Sequence, residues 1–488
     1  MRLTFRMLLL AFSLIATFAP AQTSSFQHII VVFQENRTPD NLFYRLCLNS
    51  PCSTSPNSQQ YNIKISDWLD KTSPTGVTQP TAVALANGYD LDHSHSGFKK
   101  ECDLVAGQCK MDGAAGNRKN RGAFVFVENT PDAKHPNGIL SSYLTLATQY
   151  GWANYMFQTN QGPSYPAHQF IFGGTSALDA AGDQNGTFVS ENFKGGPAGC
   201  YAQDGETTHL IDSAGKETLF TIDYASGKST CLPGSARDTM ATLLDNDGIG
   251  WKYYSSKAGG TDKGGSIWTA PNSLEAICVP DAGHQHFTGA EWASNVDLTP
   301  SNILKDLGAN GHPCGLRPVS WVIPSGGNSD HPGGSKGGPD WVASVVNAVG
   351  ESPCKNPDGS SYWNTTAIVI TWDDFGGWYD HEPPTILNSP EGGYQLGFRV
   401  PLVFVSAYTP VGYIDNSRHD FGAVLRFIEN NFNLGEGALH FADQRASTDL
   451  SSFYNFNNTP RKFQHIQSAQ TALDFISDKT PPTAPDTY

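Results

Sequence analysis

Runs of consecutive apolar residues, rather than alternating ones, set the framework of this 488-residue chain. Residues 29–33, 319–323, 367–371 and 402–406 are rich in Val, Ile, Leu and Phe, as expected of strands buried on both faces of a parallel sheet. Helical patterns lie between and after them. Residues 420–432 place Phe421, Val424, Leu425, Ile428 and Phe432 at three- and four-residue steps, and residues 339–349 carry Val342, Val345, Val346 and Val349 in similar fashion. Each is an apolar stripe suited to packing on a sheet. Strands alternating with helices predict an α/β fold, layered α/β/α around a central, mostly parallel sheet. From 181 to 279 the texture changes to Gly, Asp, Thr and Lys with few sustained apolar runs. That stretch is expected to be an insertion or cap within one domain spanning 22–478. The proline-bearing end, 479–488, is expected to be irregular.

Two of the predicted strands stop at chemistry. The run 367–370 leads into Thr371-Trp372-Asp373-Asp374-Phe375-Gly376-Gly377, and Ile29-Ile30-Val31-Val32-Phe33 leads into Gln34-Glu35-Asn36-Arg37. In open α/β sheets ligands bind beyond the carboxyl ends of the strands. If the two strands are parallel neighbours, Glu35, Asn36, Asp373 and Asp374 converge despite their sequence separation. Carboxylates gathered that tightly repel unless a cation joins them. The set is hard and oxygen-rich, suited to one divalent ion of calcium, magnesium or manganese before zinc or iron.

Composition narrows the setting. Met1-Arg2-Leu3-Thr4-Phe5-Arg6, an apolar stretch to Phe18 and Ala19-Pro20-Ala21 read as a secretory signal over residues 1–21. No later stretch approaches the length of a membrane span. The expected location is therefore a bacterial periplasm or the medium outside the cell. The net charge of −15 becomes more negative when Arg2 and Arg6 leave with the signal. That balance argues against nucleic acid as a partner and does not favour adhesion to anionic lipid. Nine cysteines in an exported chain predict disulfides and one spare thiol. Cys47 with Cys52, Cys102 with Cys109, Cys200 with Cys231 and Cys314 with Cys354 are the expected pairs, leaving Cys278. Asn36-Arg37-Thr38 is a glycosylation sequon at the supposed cation site, where a glycan would block access, so a bacterial source suits it better.

A cation there needs a reaction to assist. The segment Asn160-Gln161-Gly162-Pro163-Ser164-Tyr165-Pro166 offers one, because Pro166 can open a helix in its first turn. Ser164 would then stand at a helix N-terminus, where free N–H groups favour an anion. A serine hydroxyl becomes a competent nucleophile only with a base or metal beside it. Among the histidines, His284-Gln285-His286 could ligate a metal, line a pocket or hydrogen-bond in a loop, with the non-ligand readings favoured. His381 could serve either structure or chemistry, and His95, His168 and His419 read as ordinary polar contacts. Gly333-Gly334-Ser335-Lys336-Gly337 satisfies G-x-S-x-G, but a nucleophile elbow must join a strand directly to a helix. A metal-free serine esterase therefore carries little weight here, and a non-catalytic binding protein is the third reading.

Gln34-Glu35-Asn36-Arg37, Gly162-Pro163-Ser164 and the run Asp373-Asp374-Phe375-Gly376-Gly377-Trp378-Tyr379-Asp380-His381-Glu382-Pro383-Pro384 together resemble the bacterial phosphoesterase family of phospholipases C and acid phosphatases, within the alkaline-phosphatase-like superfamily. Asp92-His93-Ser94, Lys110-Met111-Asp112-Gly113, Ser329-Asp330-His331-Pro332 and Asp443-Gln444-Arg445-Ala446 extend the likeness, in order, across nearly the whole mature chain. The resemblance implies an alkaline-phosphatase-like fold, with Glu35, Asn36, Ser164, Asp373 and Asp374 holding the metal. It implies Ser164 as nucleophile, a phosphoserine intermediate, and His93 and His331 lining the phosphate pocket. Asp374-Phe375 stands where phospholipase members often carry an acid–His pair, and their long C-terminal extension is missing. The first is closer to the acid phosphatase members, and both departures weaken a lipid-specific reading. The substrate implied is a small phosphate ester or a phospholipid, and the oligomeric state stays open.

Overall fold

The computed structural model describes residues 25–481 apart from 88, 118–121, 195–196, 234–237, 258–266, 335, 386–395 and 436. The predicted signal, 1–21, and most of the 479–488 tail lie outside the described residues, as does Ser335 of the G-x-S-x-G match. Eight strands form the central sheet: β1 (His28–Gln34), β2 (Gly151–Met156), β3 (Trp251–Tyr254), β4 (Val296–Asp297), β5 (Val319–Val322), β6 (Thr366–Trp372), β7 (Leu402–Ser406) and β8 (Tyr413–His419). Their spatial order is β4-β3-β5-β1-β6-β7-β2-β8. The four predicted strand runs are all present, and every residue of β1, β5, β6 and β7 is buried.

Pairing from β4 through β6 is parallel throughout, and β2 pairs parallel with β8. The expectation of a mostly parallel sheet therefore holds, with β7 as the exception, antiparallel to both β6 and β2. An apolar run records burial but not direction, so the sequence could not distinguish β7 from its neighbours.

Helices cover both faces. Because side chains alternate along a strand, Phe33 and Gln34 at the end of β1 look in opposite directions. Phe33 packs edge-on against His168 of α3 (Ser164–Gly173) and Phe421 of α5 (Phe421–Phe432). The Gln34 amide instead donates to the Tyr143 hydroxyl of α2 (Ser141–Gln149) at 2.9 Å. Helix α4 (Gly338–Gly350) packs beside α2, and α3 packs beside α5. Each pair thus covers one face of the sheet.

The stretch from 181 to 279 is not uniform. Three short strands, Phe188–Val189, Thr207–Ile211 and Glu217–Thr221, make a separate antiparallel sheet. Trp251–Tyr254, however, is β3 of the central sheet. The polar texture there reflects the small sheet and its loops, and it hid a four-residue core strand. All four expected disulfides are formed, Cys47–Cys52, Cys102–Cys109, Cys200–Cys231 and Cys314–Cys354, and Cys278 is free and buried.

Candidate active site

Strands β1 and β6 are direct neighbours, and Gln34 pairs with Trp372 at their ends. The next residues, Glu35-Asn36 and Asp373-Asp374, are therefore side by side at the carboxyl edge of the sheet. The backbone holds them there. Asp373 N–H donates to Gln34 O (2.9 Å), and Asn36 N–H donates to Asp373 Oδ1 (2.8 Å). Asn36 takes a left-handed conformation, φ +59°, which Asn tolerates better than most side chains. Gly376 follows with φ +63°, and a Cβ there would sit 2.4 Å from Asn36 O. Only glycine allows the two loops to approach this closely.

Helix α3 brings the hydroxyl. Ser164 is its first residue, after Pro163, and Pro166 occupies the first turn, where a missing N–H costs nothing. The Ser164 hydroxyl lies 3.4 Å from Glu35 Oε2 and 3.4 Å from Asp374 Oδ2. The five residues expected around a cation are thus brought together, and all are buried. Gln158 locks the Ser164 turn to the carboxylate loop: its amide donates to Gly162 O (3.1 Å) and its Oε1 accepts from Phe375 N–H (3.1 Å).

The electrostatics fit a divalent cation. Burial, then the charge of Asp373, pushes Glu35 well above the usual carboxylate range, and the same two causes raise Asp374. Burial drives Asp373 upward too, but its hydrogen bonds and the attraction of His168 together outweigh burial and leave Asp373 below the usual range. Three carboxyls this close cannot all ionise without compensating charge. Asn36 Oδ1 and Asp373 Oδ2 are moreover buried without a hydrogen-bond partner, a costly state for polar oxygens. A cation at that point would satisfy both.

His93 and His331 reach the same edge. The His93 Nδ1 lies 2.8 Å from Leu91 O, and its Nε2 lies 3.3 Å from Asn36 Nδ2. With Nδ1 donating to that carbonyl, Nε2 accepts from Asn36 and turns the amide oxygen Oδ1 away. The His331 ring stands 6.3 Å from the His93 ring and 5.9 Å from that of Trp268. His168, read from sequence as an ordinary contact, is instead inside the cluster, with Nε2 3.1 Å from Glu35 Oε1. Burial lowers its pKa to about 4. The signal that would have found it is its spacing: His168 is four residues after Ser164, on the same helix face.

The other histidines fall out as structure. His284 stacks on Tyr224 at 4.0 Å and its Nδ1 lies 2.9 Å from Cys200 O. His95 Nδ1 lies 2.9 Å from Gln161 O, and His419 Nε2 lies 3.0 Å from Asp415 Oδ1. His381 pairs with Asp40 (2.7 Å), while adjacent Asp380 takes the Arg399 guanidinium at 2.8 and 3.0 Å. This buried network ties the loop after β6 to the segment after β1. Replacing Arg399 with leucine strands Asp380 as an uncompensated buried charge and leaves Asp40 with His381 alone. The expected loss of stability is about 3–5 kcal/mol, read as a lower urea midpoint. Strand β5 ends at Val322, well before Gly333, so among the described residues no strand leads directly into the G-x-S-x-G match.

A sequence profile of the phosphoesterase family matches residues 26–435. The non-hemolytic phospholipase C of Burkholderia pseudomallei is 28% identical over 269 residues, covering 46% of this chain and 37% of that protein. The hemolytic phospholipase C of Pseudomonas aeruginosa is 24% identical over 462 residues, covering 88% of this chain and 56% of that protein. The chain thus spans about a third to just over half of these relatives. Among solved structures, the phosphonate monoester hydrolase of Silicibacter pomeroyi aligns with a TM-score of 0.34 and 10% identity, over 67% of this chain and 73% of that one. An alkaline-phosphatase-superfamily protein of Vibrio parahaemolyticus aligns with a TM-score of 0.30 and 11% identity, over 60% of each. Likenesses of that size add nothing to the argument.

Proposed function

Because the chain belongs to the phosphoesterase family, we propose that it is an exported phosphoric ester hydrolase of the acid-phosphatase kind, acting through a phosphoserine. The observation that carries this reading is the Ser164 hydroxyl, 3.4 Å from both Glu35 and Asp374 at the N-terminus of a buried helix. Glu35, Asn36, Asp373, Asp374 and Ser164 would hold one divalent ion, which would supply charge neutralisation at the phosphoryl group and ease ionisation of the serine.

In this mechanism the N-terminal turn of α3 receives the phosphoryl oxygens, and Ser164 passes its proton to the neighbouring carboxylate of Glu35 or Asp374 and attacks phosphorus in line as the ester oxygen departs. His331 protonates that oxygen, a contribution of roughly 10²–10⁴-fold. His93 keeps the Asn36 amide oriented. Water then attacks the phosphoserine from the opposite side and releases phosphate. Positioning and electrostatics supply most of the rate, as in phosphoryl transfer generally.

Enclosure of Ser164 and its neighbours supports a small phosphate group with one ester arm. The names of the relatives support a second reading, phospholipase C action on lipid headgroups. Assays with p-nitrophenyl phosphate, bis(p-nitrophenyl) phosphate and phosphatidylcholine vesicles, each with calcium, magnesium, manganese or zinc, separate the two. The acid-phosphatase reading expects the monoester to be fastest; turnover of phosphatidylcholine alone overturns it. Four disulfides support an oxidising compartment, and among the described residues no helix is long and apolar enough to cross a membrane.

A further inference from the structure

We infer that His168 is a positioning residue of the cation site, donating to one oxygen of Glu35 and so committing the other to Ser164 and the ion. The inference rests on the phosphoesterase reading and assigns a role to a residue outside the expected ligand set.

Glu35 divides its two oxygens. Oε1 faces His168 Nε2 at 3.1 Å, and Oε2 faces the Ser164 hydroxyl at 3.4 Å. Both contacts come from α3, one turn apart, so a single rigid helix presents the nucleophile and the group that steers the carboxylate. Glu35 itself follows β1 directly, with its N–H bonded to Ser329 O at 2.8 Å, which fixes the backbone but not the rotation of the carboxyl. That rotation needs a donor, and His168 supplies it.

The ring is held against turning away. Phe33 packs edge-on to it with centroids 4.9 Å apart and planes at 83°, and Trp268 covers it at 6.4 Å and 21°. On its far side Nδ1 lies 3.4 Å from the Tyr253 hydroxyl, which donates to Trp268 O at 2.8 Å. His168, Phe33, Tyr253 and Trp268 are all buried. Only Nε2 faces the carboxylate cluster, and Glu35 Oε1 already engages it. Nε2 lies within 4.8 Å of ligand oxygens of both Glu35 and Asp373, and its bond to Glu35 Oε1 places the imidazole behind that carboxylate. Partners that orient the groups holding a metal are commonly worth 10–100-fold in affinity or activity when removed.

The test compares wild type, His168→Gln and His168→Leu. A glutamine amide can still donate to Glu35; leucine fills the space without a donor. Each protein, stripped of metal with chelator and checked by circular dichroism, is titrated calorimetrically with manganese and with calcium alone. The expected result is about 10–100-fold weaker binding for His168→Leu and recovery to within a few-fold of wild type for His168→Gln. If the leucine variant does not fold, His168→Asn replaces it, its amide being too short to reach Glu35. Equal affinity in the donorless variant, or equal loss in both variants, overturns the inference. A wild-type protein that binds none of these ions overturns the cation site itself, a separate and recognisable outcome.

Discussion

Ser164→Ala is expected to yield a folded protein with normal thermal unfolding whose phosphatase activity falls by about 10⁴–10⁶-fold, the scale seen when a nucleophile is deleted. The fold has little reason to respond. Ser164 is the first residue of α3 and does not cap it, since the preceding Pro163 occupies the cap position and makes no side-chain cap bond. The hydroxyl's neighbours are Glu35 and Asp374, and both keep other contacts. Near-complete activity in the alanine variant would remove Ser164 from the reaction. A loss accompanied by unfolding would not count for the proposal, so the melting curve is measured on the same sample.

Chelation is the second large effect. Dialysis against EDTA is expected to abolish turnover and lower the melting temperature, with both restored by one of calcium, magnesium or manganese. An ion at 100 times its dissociation constant stabilises the native state by about 2.7 kcal/mol, so the melting temperature should climb with ion concentration. The direction with pH follows from the carboxyls. Glu35 and Asp374 are pushed above the usual range by burial and by Asp373. Each holds its proton more readily than a free acid does, and an ion must displace those protons. Binding should therefore weaken as pH falls and tighten as it rises. Full activity in EDTA would revive the metal-free esterase reading.

Much of this was legible in the chain because burial writes itself plainly. Strands β1, β5, β6 and β7 are wholly buried and mostly apolar because helices cover both faces, and the acids just after β1 and β6 stand out against them. The disulfides were legible for a related reason: the paired cysteines are close in sequence, 5 to 40 residues apart. What stayed hidden depends on direction or distance. The antiparallel setting of β7 leaves no mark on its composition. β3 is short and sits in polar surroundings. His168 looked ordinary because its partner, Glu35, is 133 positions away, and Arg399 gave no sign that it would close a buried network with Asp40 and Asp380. Local patterns report how a segment is solvated; partners contributed by remote segments must be seen in three dimensions.

The pairing of β1 with β6 has a bearing on biosynthesis. Asn36 and Asp373, joined by a direct hydrogen bond, are 337 positions apart, so loop closure must precede any reward from that contact. A nascent or truncated polypeptide that stops short of β6 leaves half of the constellation unmade. With the proposed site assembled from both segments, turnover is expected only once β6 has been made and has paired with β1.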